Sequence, residues 1–256
     1  MTGAEQIIYF HGLPGSGAET ELFGREAAAR CAGFHVAERA NTHSAGSATE
    51  HFEQIAADIR RFFPSTPLRF IGFSLGAAAA LRTAPFLGVQ VQHIDLVSAA
   101  APLDLGNYLG SMAGAPVFRI ARASPLLFGL LGRGQGLMAR LFPGHLYSAL
   151  FAAAQGADAE LARDPEFKAR MARILRQGLG VGLPAYRREI SLYTQDWQFE
   201  LDRVMAPVSL IHGSDDNWSP VAMAVDLAER LPCCDSLQIL EGRSHYSSLG
   251  EFFRTC

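Results

Sequence analysis

The chain has 256 residues, 49% hydrophobic and 18% charged, and its 22 Lys plus Arg against 25 Asp plus Glu give a formal net charge of −3. This is the composition of a globular chain of one or two domains, and it excludes disordered, collagenous and coiled-coil classes. With no basic surplus to neutralise phosphates, no nucleic-acid partner is expected.

Lys168 is the sole lysine and follows Phe167. A phosphate-binding Walker A loop, which needs Gly-Lys, is therefore excluded. The polar helical stretch around Lys168 argues for a solvated lysine and against a Schiff base. Cys31, Cys233, Cys234 and Cys256 form neither a CxxC pair nor a secreted disulfide framework. His35, His43, His51, His93 and His145 lack metal-ligand spacing, so neither a metal nor another cofactor is expected. No N-terminal leader pattern and no apolar run of about 18 residues is present, which predicts a soluble cytoplasmic protein without stable membrane insertion. Formation of a homodimer is left open.

In chain order, residues 7–10 (Ile-Ile-Tyr-Phe) predict a buried strand that runs into the loop His11-Gly12-Leu13-Pro14-Gly15-Ser16-Gly17. An alanine-rich helix is predicted over residues 20–32, and a second strand over 34–37. Ser47 and Glu50 have the spacing of a capping box for a helix over 48–63. Residues 68–72 read as a third strand, 75–83 as a helix and 94–97 as a fourth strand. Residues 208–212 and 237–240 read as two more. Short apolar strands alternating with helices predict parallel crossovers and a doubly wound sheet. Residues 105–198 interrupt this alternation with helical, locally apolar segments at 118–131, 137–142, 147–154 and 159–179. Gly129, Gly132, Gly134, Gly136 and Gly144 are expected to divide them into short pieces. The expected division is a core of residues 1–104 and 199–256 with a helical cap at 105–198.

Gly72-Phe73-Ser74-Leu75-Gly76 fits G-x-S-x-G between a strand and a helix. Such a turn exposes the serine hydroxyl at the carboxyl end of the sheet and offers helix-start amides to a developing negative charge. The alternative is a plain strand-Gly-helix turn with a capping serine. A serine nucleophile needs a base, and the base needs an orienting carboxylate. Two later strands end in loops that hold those types: Gly213-Ser214-Asp215-Asp216-Asn217-Trp218-Ser219-Pro220 and Gly242-Arg243-Ser244-His245. Asp104, after the fourth strand, is a further candidate acid. The amides of Leu13 and Leu75 are the candidate oxyanion donors, and Trp218 is a candidate pocket residue that is equally explained as a buried structural ring. His11 is read as packing its loop, and His212 as a strand-end histidine bonded to backbone. Arg119, Arg122 and Arg133 are read as solvated, with carboxylate binding as the alternative.

Together these segments resemble the α/β-hydrolase fold superfamily over nearly the whole chain. His11 to Ser16 is similar to its oxyanion loop, residues 72–76 to its nucleophile elbow, 212–220 to its acid loop and 242–245 to its histidine loop. The resemblance implies the order nucleophile Ser74, acid Asp216, base His245, and it selects Asp216 over Asp215 by the distances to Gly213 and Pro220. It also implies that the family's first two antiparallel strands are missing, leaving about six parallel strands and an exposed first edge. Epoxide hydrolases and haloalkane dehalogenases share the His-Gly-x-Pro loop but use aspartate where Ser74 stands. The implied activity is that of a serine carboxylic ester hydrolase, and the apolar segments of the cap point to a small, largely apolar substrate. Carbon–carbon hydrolase, lactonase, thioesterase and perhydrolase are alternatives on the same triad, and a hydrolase-fold ligand-binding protein is the alternative outside enzymes.

Overall fold

The computed structural model describes residues 5–40 and 46–256; His43 lies outside the described residues. Six strands form one sheet: β1 (Gln6–Phe10), β2 (His35–Val36), β3 (Leu68–Phe73), β4 (Val91–Val97), β5 (Val208–Gly213) and β6 (Cys234–Leu240). Their spatial order is β2-β1-β3-β4-β5-β6, and every pairing is parallel. Ile8, Tyr9, Phe10, Phe70, Ile71, Ile94, Leu96 and Leu210 are buried, as expected for strands covered on both faces. The first edge is β2, not the first strand in sequence, and at two residues it offers little to pair with.

Around the sheet lie α1 (Arg25–Arg30), α2 (Ala48–Phe62), α3 (Leu75–Leu87), then, in the insertion, α4 (Ala115–Ala123), α5 (Pro125–Leu141), α6 (Pro143–Leu150), α7 (Asp158–Leu161), α8 (Pro165–Arg176) and α9 (Leu183–Tyr193), and finally α10 (Val221–Arg230) and α11 (His245–Thr255). The chain winds outward from β1 to β2, then returns past β1 to β3 and continues through β6. Right-handed crossovers in opposite directions put α1 on one face and α2 and α3 on the other, and the packing of α1 on α11 and of α2 on α3 agrees. The reversal falls between β1 and β3, whose carboxyl ends carry the 11–17 loop and Ser74. That is where open α/β sheets bind ligands.

Ser47 and Glu50 form the capping box, and His51, Phe52, Ile55, Ala56 and Ile59 face inward from α2. Two expectations are corrected. Residues 20–32 are not one helix: Gly24 at φ +92° breaks the chain between a 3₁₀ turn at Gly17–Glu21 and the short α1. Conversely, Gly129, Gly132, Gly134 and Gly136 do not break α5, which is continuous for 17 residues. Each interior glycine costs a helix about 1 kcal/mol relative to alanine. Close packing explains the glycine at 136, where a Cβ would lie 2.7 Å from the Leu179 carbonyl oxygen; at Gly129 it would lie 2.8 Å from Arg187 Nη2, the flexible end of a side chain.

Candidate active site

β3 ends at Phe73, and Ser74 turns the chain into α3 with φ +56° and ψ −126°. A non-glycine residue held there is strained, and such strain concentrates at functional sites. The neighbouring glycines are required by contact. A Cβ on Gly72 would lie 2.6 Å from Ala77 Cα, and one on Gly76 would lie 2.1 Å from the Phe10 carbonyl oxygen. The elbow therefore packs directly on β1. Gly12 approaches less closely from the other side, where a Cβ would sit 3.0 Å from the Phe73 ring and 3.3 Å from Ser74 Cβ. The loop that holds the Leu13 amide thus runs against the serine.

Asp216 follows β5 and His245 opens α11 after β6. His245 Nδ1–H donates to Asp216 Oδ2 at 2.8 Å, with both side chains buried. The other Asp216 oxygen accepts the Trp218 and Ser219 amides, each at 2.9 Å. Burial alone would push this carboxyl up, but the charge and hydrogen bond of His245, with His212 and the Ser219 amide, hold it below the usual carboxylate range. The His245 ring lies between Phe73, 4.8 Å away by ring centroids, and Trp218, stacked at 5.8 Å and 22°. The competing acids are engaged elsewhere: Asp215 accepts from Ser214 Oγ, and Asp104 from the Trp197 and Gln198 amides.

Ser74, Leu13, Leu75 and Trp218 line one cavity of about 250 Å³, with mostly apolar walls that include Val117, Phe118, Leu146, Leu150 and Ile190. Besides Ser74, the polar residues of its lining include Gln135, Tyr186 and Ser219. Gln135 bonds the Tyr186 side chain, and its Oε1 is buried with no hydrogen-bond partner. Arg119, Arg122 and Arg133 do not line this cavity. His212 donates to the Ser219 carbonyl oxygen at 2.7 Å, as a strand-end histidine should.

Several residues of the site escaped the sequence reading. Glu19 is buried beneath the 11–17 loop, where its Oε2 accepts the Gly12 amide at 3.0 Å and the Tyr9 hydroxyl at 2.8 Å. Arg39 is buried, donating to the His11 carbonyl oxygen and to Glu189 of α9, each at 2.6 Å. His11 sits against that guanidinium, and burial together with the Arg39 charge lowers its pKa to about 3. Asp158, in the insertion, accepts the amides of Tyr246 at 2.9 Å and Ser247 at 2.7 Å, the first turn of the His245 helix. Ser98, at φ +48°, donates its hydroxyl to the His245 carbonyl oxygen at 3.0 Å. None of these belongs to a short motif; only the fold brings them near.

Residues 7–252 match the sequence profile of the alpha/beta hydrolase family. The chain belongs to that family. Among solved structures, this hydrolase resembles a thermophilic esterase from Thermogutta terrifontis with a TM-score of 0.66 at 16% identity, covering 97% of this chain and 86% of that one. A bromoperoxidase from Bacillus anthracis matches at TM-score 0.65 and 13% identity, covering 97% and 88%. Est816, described as an N-acyl homoserine lactone degrading enzyme, matches at TM-score 0.60 and 16% identity, covering 98% and 91%. Identities this low speak to the fold alone. No curated protein matched the sequence closely enough to count as a relative.

Proposed function

We propose that the protein is a serine hydrolase that cleaves carboxylic esters of small, largely apolar substrates. The observation that carries this reading is the buried Asp216–His245 pair on the same site as a strained Ser74 that opens into an apolar cavity.

In this reading His245 accepts the Ser74 hydroxyl proton as Oγ attacks the carbonyl carbon, and the oxyanion is held by the amides of Leu13 and Leu75. Collapse expels the alcohol, which takes the proton from His245. Water, deprotonated by His245, then releases the acid and restores the serine. Asp216 keeps the proton of neutral His245 on Nδ1 and stabilises the imidazolium. Losing one oxyanion donor typically lowers turnover ~10²–10³-fold, so the carboxylate that holds the Gly12 amide bears on rate through the neighbouring Leu13. The helical insertion, residues 105–198, acts as the cap that shapes the cavity and excludes water.

The test is intact mass after treatment with a fluorophosphonate, alongside turnover of p-nitrophenyl butyrate. A single adduct and measurable turnover, both abolished in Ser74→Ala, are expected. A folded wild-type protein with neither would overturn the reading and leave a ligand-binding role.

A further inference from the structure

α5 is built inside out. Its buried side carries Gly129, Gly132, Gly136, Phe128 and Ala139, while its large aliphatic residues other than Leu131 face solvent. At 100° per residue, Leu126, Leu137, Leu130, Leu141, Leu127 and Met138 fall in that angular order within an arc of about 120°. Leu126 is 73% exposed, Leu141 60% and Leu137 57%. The helix is about 25 Å long at 1.5 Å per residue, and the stripe runs its length. Phe142, which ends the helix, is 52% exposed beside it. An amphipathic helix of a soluble protein normally turns this face inward. Soluble monomers rarely expose a contiguous apolar patch above a few hundred Å².

The charge pattern selects the occupant. α5 carries Arg133 and Arg140 and no acidic residue, although the chain as a whole is net negative by 3. Both arginines fall on one edge of the stripe, beside Leu126 and Leu137 by the same 100° count. Pairing two copies of this face would bring four guanidiniums together with no carboxylate from either helix. An anionic lipid surface supplies what is missing: acyl chains for the leucines and phosphates for the arginines. No helix among the described residues is long and apolar enough to cross a membrane, so the contact is a surface one.

We infer that α5 is a membrane-surface docking helix that lies on anionic phospholipid with its Leu126–Leu141 stripe in the headgroup–acyl boundary. Gln135, on the inner side of the same helix, lines the cavity that contains Ser74, so docking seats the cavity wall against the lipid. The inference does not depend on the hydrolase reading.

The experiment is co-sedimentation of the full chain with vesicles of phosphatidylcholine alone and of equimolar phosphatidylcholine and phosphatidylglycerol, with light scattering for oligomeric state. Wild type is expected to be monomeric and to sediment with the anionic vesicles, less so as salt rises. Leu130→Glu/Leu137→Glu should weaken partitioning by about tenfold or more while leaving p-nitrophenyl butyrate turnover and Tm unchanged. Leu130→Ser/Leu137→Ser serves if the charged pair impairs folding. Arg133→Gln/Arg140→Gln should remove the preference for anionic lipid. Failure of wild type to sediment with either vesicle would overturn the proposal. So would a dimer that the leucine substitutions dissociate, because a second copy would then cover this face.

Discussion

Glu19 makes the 11–17 loop a pH-dependent element of stability. It is 1% exposed, and burial pushes its carboxyl from an ordinary 4.5 up to about 7, outweighing the Gly12 amide and Tyr9 hydroxyl that favour the charged form. A carboxyl raised in this way stabilises the fold fully below its unfolded pKa, and that stability is lost as pH climbs through about 7. At 1.36 kcal/mol per pKa unit, the native protein should lose roughly 2–3 kcal/mol through this one group between about pH 5 and pH 8. Glu19→Gln keeps an oxygen for both donors and cannot ionise. Urea unfolding of both proteins at the two pH values isolates the effect, because Asp216, Asp158 and the other titrating groups are common to both. The stability difference between variant and wild type should move toward the variant by that amount from the lower to the higher pH. Parallel pH profiles would refute the reasoning, as would a shift toward wild type.

Asp158→Asn removes one of two acceptors from the first turn of the His245 helix, and should lower stability by roughly 1–3 kcal/mol and reduce kcat more than it changes KM, read by urea unfolding and ester kinetics. Arg39→Met leaves Glu189 buried beside the 11–17 loop without that partner, at a cost of roughly 3–5 kcal/mol. Adding Glu189→Leu should recover more than half of that loss in the same assay. Gly76→Ala would drive a methyl into the Phe10 carbonyl oxygen and should abolish soluble expression. Gly134→Ala, which meets nothing within 4 Å, should raise stability by roughly 0.5–1 kcal/mol.

What was legible in the sequence was whatever has a local cause. The strands were runs of apolar residues that needed burial on both faces. The elbow was visible because only glycine fits at positions 72 and 76, and the Ser47–Glu50 cap because it is a four-residue pattern. Asp216 was reachable only through the family pattern, since Asp215 beside it is chemically the same; the structure differentiates them by hydrogen bonds. α5 was misread for an instructive reason. Four glycines look like breaks when packing is unknown, yet two of them sit where a Cβ would strike α9 or the turn before it. Glu19, Arg39 and Asp158 are ordinary charged residues in ordinary-looking segments. Their burial follows from contacts across 7 to 150 positions of sequence, which no periodicity encodes.

Those long contacts also bear on how the insertion relates to the loops of the candidate site. Glu189 of α9 holds Arg39, and Arg39 holds the His11 carbonyl at the root of the loop with the Leu13 amide. Asp158 holds the helix start that carries His245. Tyr193 donates to the Ala101 carbonyl oxygen at 2.7 Å, just beyond the end of β4, and Arg82 of α3 donates to the Leu192 carbonyl oxygen at 3.2 Å. Apart from the Arg39–His11 bond, which lies within the sheet domain, each of these bonds joins the insertion to the sheet domain, and most of the groups involved are buried. A lid hinging as a rigid unit would have to leave Arg39 and Asp158 without those partners inside the protein, at several kcal/mol for each charge. Substrate entry is therefore expected to involve the segments of the insertion that make no such bonds among the described residues, α4 to α6 around the apolar cavity, while α7 and α9 stay in place. Hydrogen exchange should find the amides of α5 and α6 opening at lower free energy than those of α9. Equal protection across the three helices would mean that the insertion moves, or stays, as one body.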